Sequence, residues 1–543
     1  MNAHTPHRPA ALCSLVALLG ASFGCAAPVG SINVNVVTTA CSFATAIDLQ
    51  RNPTLGVDQI TFTITGDGLA PITVNAPFGS NTASIPNVPI GTHRRIVATA
   101  TNGGLVRSRA DSGLFDNTGS GNAQITLFLR VVDAFVFTND SSGTTCSHLN
   151  TPRAGHQMTA LPDGRVLITG GYTLDGAGAR QYLTQAELYD PADGTFSNVD
   201  APQGFARAGH AALPVTVGGA QQVLLLGGEG PSFSGSVGPI GSFELYNNGQ
   251  FSKIALPQSV QSRERAATVV DVKTGYAVLG GGANGPDVPG GSLTVFSSLA
   301  YFDPTQSAII QAAQPLAQGF ADAVAVSRKN AAISGGTGQG GVVFIGGRDQ
   351  NGNALAQISG VIFNEAQHQY VADTTYEQPA LRTLPAPRVQ HSAIVATDDT
   401  VLILGGATSV TTNYATTTDA ITVIEPRLLT VGNASEVLSQ QRADGCAALL
   451  NSGEIIYAGG AWNDGSSLHS TSSVDIVSPA GVATSVRALE GPTPGGTWGL
   501  QSPRHGAACL KLADGTVLVT GGLQFESASG SPTTLGSAEI YTP

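Results

Sequence analysis

The chain has 543 residues, 42% hydrophobic and 11% charged, with a formal net charge of −12. A single core stops growing near ~250–300 residues, so the length demands two domains or a repeat architecture, and the apolar content excludes a disordered chain. The acidic balance excludes a nucleic-acid binder, which needs a basic footprint, and an electrostatic grip on anionic lipid.

At the start of the chain, Arg8 precedes an apolar run, Ala10 to Gly24, that is too short to span a bilayer and reads as an export signal over residues 1–24. The run ends in Ser22-Phe23-Gly24-Cys25, which resembles a bacterial lipobox. Gly before Cys fits that pattern, whereas Ser22 stands where Leu is usual. The resemblance implies lipidation of Cys25 and an outer-membrane lipoprotein held by lipid alone. Ordinary signal cleavage near Gly24–Ala27 would instead give a periplasmic or secreted protein. No second apolar run is long enough for a membrane helix.

Residues 25–130 alternate apolar and polar positions in INVNVVT from Ile32, QITFTITG from Gln59, IVATAT from Ile96 and QITLFLRVV from Gln124. Such short strands, separated by Gly, Pro and Asn, predict a small β-sandwich. The stretch Pro89 to Gly104 loosely resembles the immunoglobulin-like modules of bacterial lipoproteins, and a spacer role is the plain alternative. Cys41 and Cys146 flank this domain and are placed to staple its ends, since an exported protein can oxidise its thiols. Cys446 and Cys509 sit at offsets differing by one within adjacent repeats, which points them to opposite strand faces and predicts free, buried thiols.

From residue 131 to 543 a hydrophobic run ending in Gly-Gly recurs seven times: LITGG, LLLGG, AVLGG, VFIGG, LILGG, IYAGG and LVTGG, with first glycines from Gly170 to Gly521. Upstream of six of them stands an arginine, Arg153, Arg207, Arg263, Arg388, Arg442 or Arg504, at a nearly constant interval. A fixed interval predicts one rigid hairpin, and turns such as LPDGR and LADGT supply residues that tolerate positive φ. Downstream come third strands such as AELYDP, LAYFDP and AEIYTP, then a short fourth strand in the earlier copies.

This arrangement resembles the kelch repeat. The resemblance implies an all-β fold: a seven-bladed kelch-like β-propeller over 131–543, preceded by the small β-sandwich. The fourth copy departs from the pattern, since GFADAVAV from Gly319 lacks the arginine. The chain stops after the seventh third strand, so the missing outer strand should come from Asp133–Thr138, which leaves no open edge.

Long loops between second and third strands, such as 172–185, 229–242 and 407–419, share one face and are where binding groups concentrate. On that face the six arginines would ring the central channel as forked donors for carboxylate or sulfate, or would bond loop carbonyls and acidic groups structurally. Trp462 and Trp498, with Tyr172, offer aromatic platforms for a sugar or peptide, or pack beneath loops. His156, His210 and His391 follow their arginines by three and read as structural. The sequence assigns no cofactor, no metal and no catalytic residue; no Gly-x-Ser-x-Gly elbow stands out and no His-Glu-x-x-His occurs. The expectation is a monomeric, surface-anchored protein that binds a protein or glycan partner. The alternative is an extracellular carbohydrate-active enzyme, similar to galactose oxidase, with its site at the channel mouth.

Overall fold

A computed structural model describes residues 28–38, 41, 52–77, 82–119, 123–143, 145–199, 206–231, 236–284, 293–329, 341–377, 381–409, 414, 416–425, 430–489, 498–525 and 531–543. The export signal and Cys25 lie outside them. No helix among the described residues is long and apolar enough to cross a membrane.

The alternating segments of the first module form two sheets. One is three-stranded, with Val29–Val37 between Thr82–Pro89 and Ala123–Phe128. The other runs Leu69–Pro77, Gln59–Gly66, Gly91–Asn102, Leu105–Asp111, Arg130–Val131, with Phe115–Asn117 also paired to Gly91–Asn102. Alternation sends Ile32, Val34, Ile60, Phe62, Ile64, Ile96 and Leu127 into one shared core, which is the logic of a sandwich.

The repeats form seven four-stranded antiparallel sheets. In blade 1, Gln157–Ala160, Val166–Thr169, Ala186–Asp190 and Thr195–Val199 pair in that order from the inside out. Blades 2 to 6 repeat this, with inner strands Ala211–Val217, Ala267–Val270, Val324–Arg328, Ser392–Val395 and Cys446–Leu449. Each inner strand touches the next, and Ala508–Lys511 of blade 7 touches Gln157–Ala160 of blade 1, so the ring closes. The outer strand of blade 7 is Ala134–Phe137, antiparallel to Ala538–Thr542 with Phe135 opposite Tyr541. The N-terminal side thus clasps the last blade and removes an exposed edge.

The Gly-Gly pairs hold neighbouring blades together. Both glycines are left-handed in every copy, as at Gly170 (φ 57) and Gly171 (φ 95). This conformation aims the second N–H at the next blade's arginine carbonyl: Gly171 at Arg207 and, across the closure, Gly522 at Arg153, at 2.8 and 2.9 Å. A Cβ on Gly171 would lie 2.8 Å from the carbonyl oxygen of Ala154, so only glycine fits. In the third copy the pair with this geometry is Gly281–Gly282, one residue later than the sequence reading placed it. In blade 4, Phe320 replaces the arginine and packs on Phe344 at 5.6 Å.

Two disulfides are present. Cys41 bonds Cys146. Cys446 bonds Cys509, which corrects the expectation of two free thiols. In a ring of stacked sheets, the forward face of blade 6 packs on the rear face of blade 7. Residues on opposite faces of successive blades therefore face each other.

Candidate functional site

The six arginines are fully buried, none more than 2% exposed, and each works within its own blade. Arg153 donates to the carbonyls of Gly170 and Gln185 at 2.9 and 3.0 Å and pairs with Glu187. Arg504 does the same with Gly521, Ser537 and Glu539, and Arg442 reaches the Tyr457 carbonyl and Asp475. Arg207 reaches Gly227, Ser242 and, at 3.5 Å, Glu244. Among the described residues Arg263 and Arg388 form no ion pair and bond a hydroxyl instead, from Ser298 and Thr422. The expected ring of open guanidinium groups is thus corrected. The fork is spent on the carbonyls that a left-handed Gly-Gly turn leaves without ladder partners.

The residue two past each arginine, or past Phe320, lines the mouth. The residue between them bridges to the position after the Gly-Gly, as Ala154 to Tyr172 and Ala443 to Ala461. The chain then turns through a left-handed residue: Gly155, Gly209, Arg265, Asp322, Gln390, Asp444 and Gly506, all with φ between 53 and 65°. Four backbone hydrogen bonds link these positions from blade to blade: Gly209 to Gly155, Asp322 to Arg265, Asp444 to Gln390 and Gly506 to Asp444. Side chains at these positions therefore gather around one opening. Glycines floor it in blades 7, 1 and 2, and polar side chains line it in blades 3 to 6.

Most charges there are matched. Arg348 lies 2.5 Å from Asp322, Arg265 lies 3.4 Å from Glu264 and 3.6 Å from Glu229, and Arg180 lies 2.6 Å from Glu229. Asp444 differs. Its Oδ2 accepts from the Tyr414 hydroxyl at 2.8 Å and from Gln390 Nε2 at 3.5 Å, and no cation pairs with it among the described residues. Burial pushes its carboxyl above the usual range, Tyr414 opposes that, and Asp322 adds to it. Burial also raises the Tyr414 phenol well above its ordinary value, and Asp444 and Tyr172 add to this.

Five two-stranded hairpins stand over the mouth, in the loops after the Gly-Gly of blades 1, 2, 3, 6 and 7. Neighbours touch: Leu468–Ser470 meets Leu523–Phe525, Pro532–Thr534 meets Tyr172–Leu174, and Val237–Pro239 meets Ala283–Asn284. Tyr172 begins the first hairpin and is buried beneath the Arg180 guanidinium, 4.6 Å from its ring. His505 stacks on Phe525 at 4.6 Å with Tyr414 edge-on, and burial lowers its pKa to about 4.

Trp462 is half-buried on the blade 6 hairpin, stacked on His469 at 5.0 Å. Trp498 does not join it. Its backbone carbonyl accepts from Phe135 in the clasping strand, and Arg107 of the first module lies 5.5 Å over its ring. It therefore belongs to the junction between the modules. His156 and His210 bond Thr520 and Thr169 of the preceding blade, each at 2.8 Å.

Sequence reasoning missed Arg265, Asp322, Gln390, Asp444 and Tyr414. The signal lay in the variable third letter of RAGH, RERA, RVQH, RADG and RHGA. Away from the mouth, a cleft of about 400 Å³ opens beside the outer strands of blade 4, lined by Leu316, Tyr370, Asp373 and Tyr376.

No family profile matches the chain. No curated protein matches it either. Among solved structures, it is similar to one described as YjhT, with a TM-score of 0.43 and 16% identity over 63% of this chain and 99% of that one. It is also similar to a fungal alcohol oxidase of the AA5 family in complex with copper, with a TM-score of 0.49 and 14% identity over 73% of this chain and 75% of that one. Likeness at this level does not bear on activity, and the architecture rests on the strand pairings above.

Proposed function

We propose that the chain is an exported, envelope-anchored kelch-type propeller that binds a protein or glycan partner with the hairpin crown around its channel mouth. The observation that carries this reading is the crown itself. Five hairpins on one face, linked to neighbours and set on rigid blades, enclose a mouth lined with polar groups. The opposite face offers tight turns such as Asp163-Gly164 between inner strands. Rigid scaffolds that carry elaborated loops on one face concentrate recognition there. The Gly-Gly and arginine repeat supports the kelch reading, and the apolar run before Cys25 supports export with lipid anchoring.

Glycan and surface-protein arrays probed with the mature chain test this. Trp462→Ala and Tyr182→Ala on the crown should weaken a captured partner, whereas Asp163→Ala on the opposite face should not. A partner lost with Asp163→Ala and kept by both crown variants would overturn the reading. So would turnover of a sugar without stable capture.

A further inference from the structure

Two of the seven ring positions carry acids, Asp322 and Asp444. Asp322 pairs with Arg348 and Arg265. Asp444 pairs with no cation among the described residues. Its hydrogen-bond partners Tyr414 and Gln390 are neutral, and a second carboxylate, Asp322, also acts on it. A carboxylate in such a place gains from a cation, because it is partly desolvated and has no counter-charge among the described residues.

The surroundings are shaped for that arrival. Asp444 is partly accessible, and Oδ2 alone is used by Tyr414 and Gln390, which leaves Oδ1 open. Its neighbour on the ring is Gly506, followed by Gly155 and Gly209, and a Cβ at Gly506 would meet nothing within 4 Å. Space therefore lies beside the carboxylate on its glycine side. Tyr414 forms an aromatic wall, backed by His505 and Phe525, and aromatic faces attract organic cations.

We infer that the Asp444–Tyr414 niche at the channel mouth is a binding site for a primary alkylammonium group, that of a lysine side chain on a protein partner. This rests on the crown being the recognition face and deepens it. The ammonium would donate to Asp444 Oδ1, its stem would lie over the glycine floor and along Tyr414, and Asp444 would gain a counter-charge.

The test uses the mature chain and three probes followed by calorimetry and NMR: Nα-acetyl-lysine methylamide, its uncharged norleucine counterpart, and glucosamine. The lysine probe should bind and the norleucine probe should not, and Asp444→Asn should weaken the lysine probe at least tenfold. Asparagine tolerates the left-handed backbone of residue 444, so this variant keeps the fold. Gln390→Glu, which adds charge beside Asp444, should tighten the same probe. Equal binding of norleucine, indifference to Asp444→Asn, binding of glucosamine alone, or no binding would each overturn the inference. If crown variants still abolish an array partner when the lysine probe fails, the crown reading stands and this inference alone falls. If the lysine probe binds through Asp444 while crown variants leave every partner untouched, the reverse holds.

Discussion

The ring of His210 hydrogen-bonds through Nε2 to the hydroxyl of Thr169 in the preceding blade, at 2.8 Å. His156 repeats this with Thr520 of blade 7. His391 occupies the same place above Gly346, but the residue before that glycine is Ile345, and both ring nitrogens are buried without a partner. A buried polar group left unsatisfied costs roughly 1–3 kcal/mol. His391→Leu should therefore raise the unfolding free energy by about 1 kcal/mol, while His210→Leu, which strands the Thr169 hydroxyl, should lower it by a similar amount. Chemical denaturation of the two variants gives opposite signs if the pairing is as described, and the same sign if it is not.

The same histidines set an acid limit on stability. Burial holds His156 and His391 at about 3, with nearby arginines adding to it, and His505 at about 4. These folded values lie below the ordinary value near 6.5, so the unfolded chain takes up protons first. Stability is then fully present above about pH 6.5 and is lost as pH falls from there toward 3–4, by up to ~1.4 kcal/mol per unit for each such group. Denaturant midpoints at pH 7 and pH 5 should show the loss, and His391→Leu should reduce it. A midpoint unchanged between these pH values would refute the burial of neutral imidazoles.

Much of the architecture was legible because the blade's backbone needs particular residues. Two consecutive left-handed positions require Gly-Gly, and the carbonyls they release require a long forked donor, so both recur at a fixed interval. The mouth was not legible for the opposite reason. Arg153 and Arg504 recur because they do the same internal work in each blade, which is the structural alternative that the spacing left open beside a ring of ligand donors. The positions that meet at the opening vary, from Gly155 to Arg265 to Asp444, so only their fixed place two residues past each arginine marks them, not their residue type. Cys446 and Cys509 were misjudged because strand alternation was applied to one sheet at a time. In a ring of sheets the relevant faces belong to neighbours.

The clasp of the last blade predicts a large effect at its centre. Phe135 is fully buried opposite Tyr541, with ring centroids 5.5 Å apart, inside the core shared by blades 6 and 7. Phe135→Ala should cost about 3–5 kcal/mol, as for other buried phenylalanines. Phe196 holds the matching outer-strand place beside Tyr189 in blade 1 but is only partly buried. Phe196→Ala should cost clearly less. Equal losses in denaturation would mean that ring closure adds nothing beyond ordinary blade packing.

The Cys446–Cys509 bond joins the inner strands of blades 6 and 7, at a sequence separation of 63. It reaches the inner strand of blade 7, whereas the clasp pairs with that blade's strand Ala538–Thr542, so two separate links, one covalent and one strand-paired, hold blade 7. A crosslink over such a loop stabilises by roughly 2–4 kcal/mol, mainly by restricting the unfolded chain. The double variant Cys446→Ala, Cys509→Ala should therefore lose about that much in denaturation. Lysine-probe binding at Asp444 should persist in the folded variant, because neither cysteine is among the residues that form the niche. Peptide mapping under non-reducing conditions should recover the two cysteines as one linked species. Recovery of two free thiols from oxidised, exported protein would restore the original expectation and remove the link.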